Sequence, residues 1–271
     1  MGTLYVVATP IGNLEDMTLR AIRILREVSL IAAEDTRHAQ ILKKHFELSA
    51  PITSYYEHNK EIKNDFLLHA LEIGDVALIS DAGTPAISDP GVEIVRLAHE
   101  NSHKVSPVVG PSALSAAISA AGIAASHYLF LGFLPSKTKE RKKIWQRLQN
   151  EEAATVIYEA PHRIEKTLLE MMEQLGSQRE VAVLREITKL YEEIWRGNLA
   201  SATIWSQNKK GEFVIVLAPS CQNKSCHIAQ DTQKLLKKLK DEGLGAKEAA
   251  SLAALQTGHS KKSLYQMFLS L

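Results

Sequence analysis

Four short apolar runs, at residues 4–8, 30–33, 76–79 and 105–109, each end in a polar or glycine-containing turn. Rich in β-branched residues and too short for helices, they read as buried strands. Between the first two, Leu19, Ile22, Leu25 and Val28 recur at helical spacing, with Thr18 placed as a cap. Val92, Val95, Leu97 and Ala98 mark a further helix after Pro90-Gly91. This alternation calls for a parallel sheet with helices on both faces. A second series of strands is expected at 128–133, 154–158, 180–184 and 212–217, with helices near 138–150 and 161–175; segment 188–206 is mixed. After Pro219 the composition turns polar. Three short helical patterns follow, at 231–242, 246–257 and 261–271, the last two separated by Gly258. The expected architecture is α/β: two α/β lobes, 1–118 and 119–219, with a cleft between them, then a linker and small C-terminal helical extension over 220–271.

Composition narrows the function. Lys plus Arg is 32 and Asp plus Glu is 31, a formal charge of +1, which excludes a protein that coats polyanions indiscriminately. The balance is uneven, however: residues 136–147 carry six basic residues against one acid, and 221–271 carry eight lysines against four acids. Only Cys221 and Cys226 are present, so no disulfide framework is expected and a reducing, cytoplasmic setting fits. With His227 they offer three soft ligands at loose spacing, short of the four that structural zinc takes, so no metal is expected there. The N-terminus shows no basic leader, and no run is long and apolar enough to span a membrane.

In open parallel sheets, ligands bind beyond the carboxyl ends of the strands. The polar residues at those ends are Thr9-Pro10-Ile11-Gly12-Asn13, Glu34-Asp35-Thr36-Arg37, the segment SDAGTPAISDPG at 80–91, and Gly110-Pro111-Ser112. In the 80–91 loop, Gly83 and Gly91 permit unusual backbone angles while Pro85 and Pro90 stiffen it. Its bland reading is an elaborate turn capped by Asp89. It matches neither a P-loop nor a G-x-G-x-x-G fingerprint. Glu34, Asp35 and Arg37 read either as an acidic helix start or as groups aimed into the cleft. His58 and Asn59 follow another short apolar segment, and His58 could act as a base near neutral pH. In the second lobe, Tyr158 to Arg163 (YEAPHR) and Arg185 to Lys189 (REITK) sit at strand ends, with Pro161 suited to start a helix.

Taken together, LYVVATPIGNLEDMT at 4–18, AAEDTR at 32–37, SDAGTPAISDPG, YEAPHR and REITK resemble the tetrapyrrole methylase superfamily, over essentially the whole chain. The resemblance implies a homodimeric, S-adenosylmethionine-dependent enzyme with the cofactor folded between the lobes. On the matching motifs, Pro10, Ser80, Asp81, Ala82, Gly83, Ala86, Ser112, Tyr158 and Glu159 would hold the cofactor, with Leu184, Leu217 and Ala218 as weaker candidates. The first loop reads TPIGN rather than the GxGPGD typical of the tetrapyrrole enzymes. That departure favours the branch of the superfamily that methylates the 2′-hydroxyl of a cytidine in small-subunit ribosomal RNA, free or in the assembled 30S subunit. A small tetrapyrrole-like acceptor, or a noncatalytic RNA-binding role, are the competing readings.

Methyl transfer from a sulfonium to an alcohol needs alignment and deprotonation of the hydroxyl, and no metal. Glu34 or Asp35 is the expected orienting group or base, with His58 as competitor. Arg37, Asn59, Lys142, Lys143, Arg163 and Lys189 are the expected RNA contacts, since phosphate neutralisation supplies much of such affinity. Trp145, inside the basic segment, either stacks on a base or packs inward.

Overall fold

The computed structural model describes residues 1–56, 59–220, 224–257 and 260–269. The first lobe runs β1 (Thr3–Val7), α1 (Leu19–Glu27), β2 (Leu30–Ala33), α2 (Thr36–His45), β3 (Ile52–Ser54), α3 (Lys60–Ile73), β4 (Val76–Ile79), α4 (Val92–Glu100) and β5 (Lys104–Val108). Its strands are all parallel, in the order β3-β2-β4-β1-β5. Every residue of β2 and β4 is buried, which is why their sequences are unbroken apolar runs. One face packs α1 and α2 through Ile24, Leu25, Ala39 and Leu42; the other packs α3 and α4 through Leu67, Leu71, Ile94 and Ala98. Thr18 caps α1 as expected, its hydroxyl oxygen accepting the Ala21 N–H at 3.1 Å.

The chain leaves β5 into α5 (Ala113–Ala121), and this helix packs on the second sheet, not the first. Ala117 and Ala121 lie against Leu184, Val214 and Val216. Residues 113–118 therefore belong structurally with the second lobe. The small side chains of α5 explain the fit, since they let the helix approach the sheet closely.

The second lobe contains β6 (Tyr128–Phe133), α6 (Thr138–Leu148), β7 (Ala154–Glu159), α7 (Ile164–Leu175), β8 (Glu180–Arg185), β9 (Glu193–Asn198), α8 (Leu199–Trp205) and β10 (Phe213–Leu217). The sheet order is β6-β7-β10-β8-β9, with β10 antiparallel to β7 and β8. Helices α6, α7 and α8 cover the face opposite α5. The mixed segment 188–206 resolves into β9 and α8, joined by a capping box between Asn198 and Ser201. Pro161 does not start α7. Residues 161–163 form a turn closed by the Arg163 N–H on the Ala160 carbonyl at 3.0 Å, so His162 and Arg163 precede the helix.

The C-terminal unit is α9 (Lys224–Asp241), α10 (Ala246–Thr257) and α11 (Lys261–Leu269), built around Leu236, Ala249, Ala253, Leu264 and Phe268. Helix α9 starts earlier than the pattern at 231–242 suggests, which shortens the linker. No helix among the described residues is long and apolar enough to cross a membrane.

Candidate active site

A cavity of about 380 Å³ opens between the carboxyl ends of β2 and β4, the turn after β7 and the start of β10. The 80–91 loop forms its floor and one wall. It is pinned to the first loop by paired backbone bonds, Thr9 N–H to Gly83 O at 2.8 Å and Gly83 N–H to Thr9 O at 3.0 Å. The Thr84 hydroxyl donates to the Pro111 carbonyl at 3.2 Å. Ala86 and Ser88 both hold left-handed backbone angles, φ 67° and 66°, a strain that clusters at functional loops. Of the expected cofactor residues, Asp81, Ala82, Gly83, Ser112, Tyr158 and Glu159 line the cavity. Ser80 is buried beneath the loop, and Pro10 and Ala86 support it from outside the lining.

Three first-lobe carboxylates face this space: Glu34, Asp81 and Asp89. Burial, then the charges of Asp81 and Asp89, raises Glu34 above the usual carboxylate range. Burial raises Asp89 to about 6, helped by Asp81 and opposed by a hydrogen bond with Ser80. Among the described residues neither Glu34 nor Asp89 has a salt-bridge partner, while Asp81 has His38 Nδ1 at 3.6 Å. Asp35 is a different case. It caps α2 and grips the exposed Arg37 side chain, whose hydrogen bonds hold the carboxyl down at about 2. Asp35 thus anchors the start of α2 and the Arg37 side chain, and its carboxyl is shifted in the opposite direction to those of Glu34 and Asp89.

The opposite wall carries its charges already matched. Glu159, fully buried, accepts from the Thr167 hydroxyl at 2.6 Å and lies 3.2 Å from Arg163 Nε and 3.9 Å from Arg141 Nη1. Arg163 also donates to the Leu134 carbonyl at 2.7 Å, so it braces the YEAPHR turn and is not free for phosphate. Glu212, at the cavity, pairs with Lys189 at 2.8 Å, and Lys189 also binds Glu186 at 3.1 Å. The Lys189 stem lies where a side chain on Gly12 would go, and Thr188 Oγ1 bonds Asp16, so this loop fastens one lobe to the other.

The remaining expected residues fall elsewhere. Leu184 is a register partner of Val214, which lines the cavity, but is itself core. Leu217 and Ala218 sit at the far end of the sheet: Leu217 pairs with Thr155, while Phe213 pairs with Glu159. Because β10 runs antiparallel, its first residues reach the cleft, not its last. Asn59 uses its side chain to hold the Tyr56 N–H at 2.8 Å and the Ser54 carbonyl at 3.3 Å. His58 lies outside the described residues. Lys142 and Lys143 are exposed on α6, whereas Arg141 and Trp145 from the same helix point inward to Glu170, at 2.7 and 3.2 Å. Sequence reasoning misses Phe133, Glu212, Phe213 and Val214, all at the cavity, and reads Asp89, which also lines it, as the cap of a turn. Asp89 does not cap α4, whose N-cap is Gly91 without a side-chain bond.

A parallel five-stranded lobe joined through one helix to a mixed five-stranded lobe, with an acid-lined cleft between, defines a two-lobed α/β protein with a ligand-sized site at the lobe junction. Solved structures of the same fold include a uroporphyrin-III C-methyltransferase from Thermus thermophilus, with TM-score 0.59 at 15% identity over 85% of this chain and 98% of that one. Cobalt precorrin-4 methyltransferase gives TM-score 0.60 at 17% identity, over 79% and 94%. The chain belongs to the tetrapyrrole (corrin/porphyrin) methylase family, whose profile matches residues 3–203, and residues 227–271 match the RsmI C-terminal HTH domain. Two relatives named ribosomal RNA small subunit methyltransferase I span nearly everything. One from Synechocystis sp. is 42% identical over 100% of this chain and 99% of its own. One from Pseudomonas aeruginosa is 43% identical over 99% and 97%.

Proposed function

We propose that this chain is an S-adenosylmethionine-dependent enzyme that methylates the 2′-hydroxyl of a cytidine in small-subunit ribosomal RNA, acting as a homodimer in the cytoplasm. The observation that carries the cofactor reading is the charge asymmetry of the cavity. The carboxylates of its second-lobe wall have internal cations, while Glu34 and Asp89 have none among the described residues. A ligand bearing positive charge satisfies them. S-adenosylmethionine carries a sulfonium and an ammonium beside an adenosine, and the remaining lining suits the rest: Ile87, Phe133, Tyr158 and Val214 offer an apolar slot, and the start of α5 at Ser112-Ala113 offers backbone donors for a carboxylate. When bound, that cofactor supplies an electrophilic methyl group on a positively charged sulfur. The protein's part is to exclude water, orient the acceptor hydroxyl and take its proton.

The RNA acceptor is supported by the names of full-length relatives and by the outward face of α6, where Lys139, Lys142 and Lys143 are exposed. The test is transfer of labelled methyl to small ribosomal subunits from a strain lacking the protein, beside a porphyrinoid acceptor. Incorporation at a cytidine ribose of the subunit RNA is expected. Incorporation only into the porphyrinoid would sink the RNA reading.

A further inference from the structure

We propose that the outer face of α2, with Arg26 of α1 beside it, docks the phosphate backbone of the acceptor RNA. The inference rests on the RNA reading above and adds to it the lobe, the helix and the residues. The sequence of α2 is TRHAQILKKH, with one arginine, two lysines, two histidines and no acid. Ala39 and Leu42 face the core, which turns Arg37, Ile41 and Lys44 outward at i, i+4 and i+7.

Other helices of the same lobe treat their surface cations differently. Arg23 of α1 is matched by Glu27, and Arg96 of α4 by Glu100, each pair four residues apart at 2.6 Å. On α2 no acid is available for such a match, and Lys44 has no salt bridge among the described residues. Lys43 is turned back to the Ala50 carbonyl at 2.7 Å. The helix dipole accounts for cations in the last turn. It opposes one in the first turn, where Arg37 stands.

Arg37 and Arg26 are held in the same way, each by one edge of the guanidinium. Asp35 accepts from Arg37 Nε at 3.0 Å and Nη2 at 2.5 Å. The arginine side chain is nevertheless 88% exposed and the aspartate 22%, so the pair presents its cationic end. The Phe46 carbonyl accepts from Arg26 Nε at 3.1 Å and Nη2 at 2.9 Å. Each grip fixes the guanidinium plane and leaves Nη1 without a partner among the described residues. A planar fork fixed in advance binds phosphate with less freedom lost per bond. The acids closest along the chain are Asp35 at the start of α2 and Glu47 beyond its end.

Topology connects this face to the site. Asp35, the cap of α2, directly follows Glu34 of the cavity wall, and α6 begins shortly after Phe133 of the opposite wall. A basic helix thus leaves the cleft on each lobe, and a strand held by both is drawn past the cavity mouth. Along α2, Arg37 and Lys44 stand about 10 Å apart. Ile41 lies between them, 58% exposed, and offers an apolar contact to a ribose or base. Arg163 and Lys189 are tied to Glu159 and Glu212, which leaves the first-lobe phosphates to α2.

The test compares wild type, the triple variant Arg26→Gln with Arg37→Gln and Lys44→Gln, and Arg96→Gln on the opposite face of the first sheet. Filter binding over a salt series is measured on small subunits and on protein-free small-subunit RNA. The triple variant should bind both about tenfold more weakly at low salt, and its slope of log affinity against log salt should fall by about 2 to 3. Its thermal melt and its calorimetric affinity for S-adenosylmethionine should stay near wild type. Arg96→Gln should bind RNA as wild type does. Wild-type affinity and slope in the triple variant would overturn the proposal. A loss on subunits with none on the protein-free RNA would place a subunit protein on α2, and would overturn it equally. Wild-type methyl transfer to a porphyrinoid acceptor alone, with RNA binding still lost in the triple variant, would refute the RNA substrate and leave α2 as an RNA surface.

Discussion

The Ser88 side chain of the first lobe occupies the space that a side chain on Gly132 of the second lobe would need. Gly132 has φ 61° and marks the irregularity in β6 where the register against β7 shifts between Phe130 and Gly132. The bulge does two things. It admits the tip of the 80–91 loop, and it turns Phe133 toward the cavity. Gly132→Ala should therefore cost about 1–3 kcal/mol from left-handed strain and collision. It should also weaken cofactor binding more than a surface substitution of equal cost. Denaturant titration and binding calorimetry on the same variant check both. Adding Ser88→Gly should restore binding in part, leaving the backbone strain.

Asp89 makes the cofactor-free protein sensitive to pH, with a defined sign. Its carboxyl titrates near 3.8 when unfolded and near 6 when folded, so the folded state holds a proton longer. That contribution is complete below about pH 4 and is lost as pH rises through about 6. Asp89→Asn should be more stable than wild type at pH 7.5 by about 1–2 kcal/mol, discounted for its partial exposure, and no more stable at pH 4. Urea titrations at the two pH values measure it. Saturating cofactor should shrink the difference, because bound positive charge satisfies the carboxylate.

Neighbours on α6 should behave oppositely. Arg141 is buried with Glu159, Thr167 and Glu170 around it, so Arg141→Ala removes one of the two cations beside the buried Glu159 and the cation of the partly exposed Glu170, and should cost about 2–4 kcal/mol. Lys142→Glu with Lys143→Glu should stay within about 0.5 kcal/mol of wild type. The double variant should weaken RNA binding and lower the slope of log affinity against log salt by about 2, one for each phosphate no longer neutralised. Filter binding at several salt concentrations reads it directly.

Breaking the fastening between the lobes should separate affinity from stability. Lys189→Met leaves Glu186 and Glu212 without their cation and adds negative charge beside the cavity. Cofactor affinity should then depend more steeply on ionic strength than in wild type, as binding calorimetry across a salt series would register. An unchanged dependence would mean that Glu212 does not face the bound ligand.

Most of the first lobe is legible in the sequence because doubly covered parallel strands leave unbroken apolar runs. Leu30–Ala33 and Val76–Ile79 match their runs to the residue. β3 escapes as a strand because three half-buried residues carry no such signal. Direction is the harder property. Nothing in the composition of Phe213–Leu217 says which way the strand runs, so the carry-over from the family resemblance puts Leu217 and Ala218 at the cleft where Phe213 and Val214 stand. Pairing is harder still. Arg163 and Lys189 read as cations for phosphate, and only three-dimensional packing assigns them to Glu159 and Glu212. Asp89 reads as the cap of an elaborate turn because a carboxylate ahead of Pro-Gly has that local form. Its position against the second lobe depends on Gly132, which lies far along the chain.

The path from β5 to α5 carries a consequence for turnover. Because α5 sits on the second sheet, the chain passes between the sheets once, over residues 109–112, and Ser112 of that segment is part of the cavity wall. Any rocking of one lobe on the other must be absorbed by the torsions of Val109, Gly110, Pro111 and Ser112, with Gly110 held close to Ala8. The covalent crossing and the binding surface thus share one residue, Ser112. A change in lobe angle taken up at this crossing would therefore move Ser112, so the width of the cleft and the shape of its wall are coupled through a single residue.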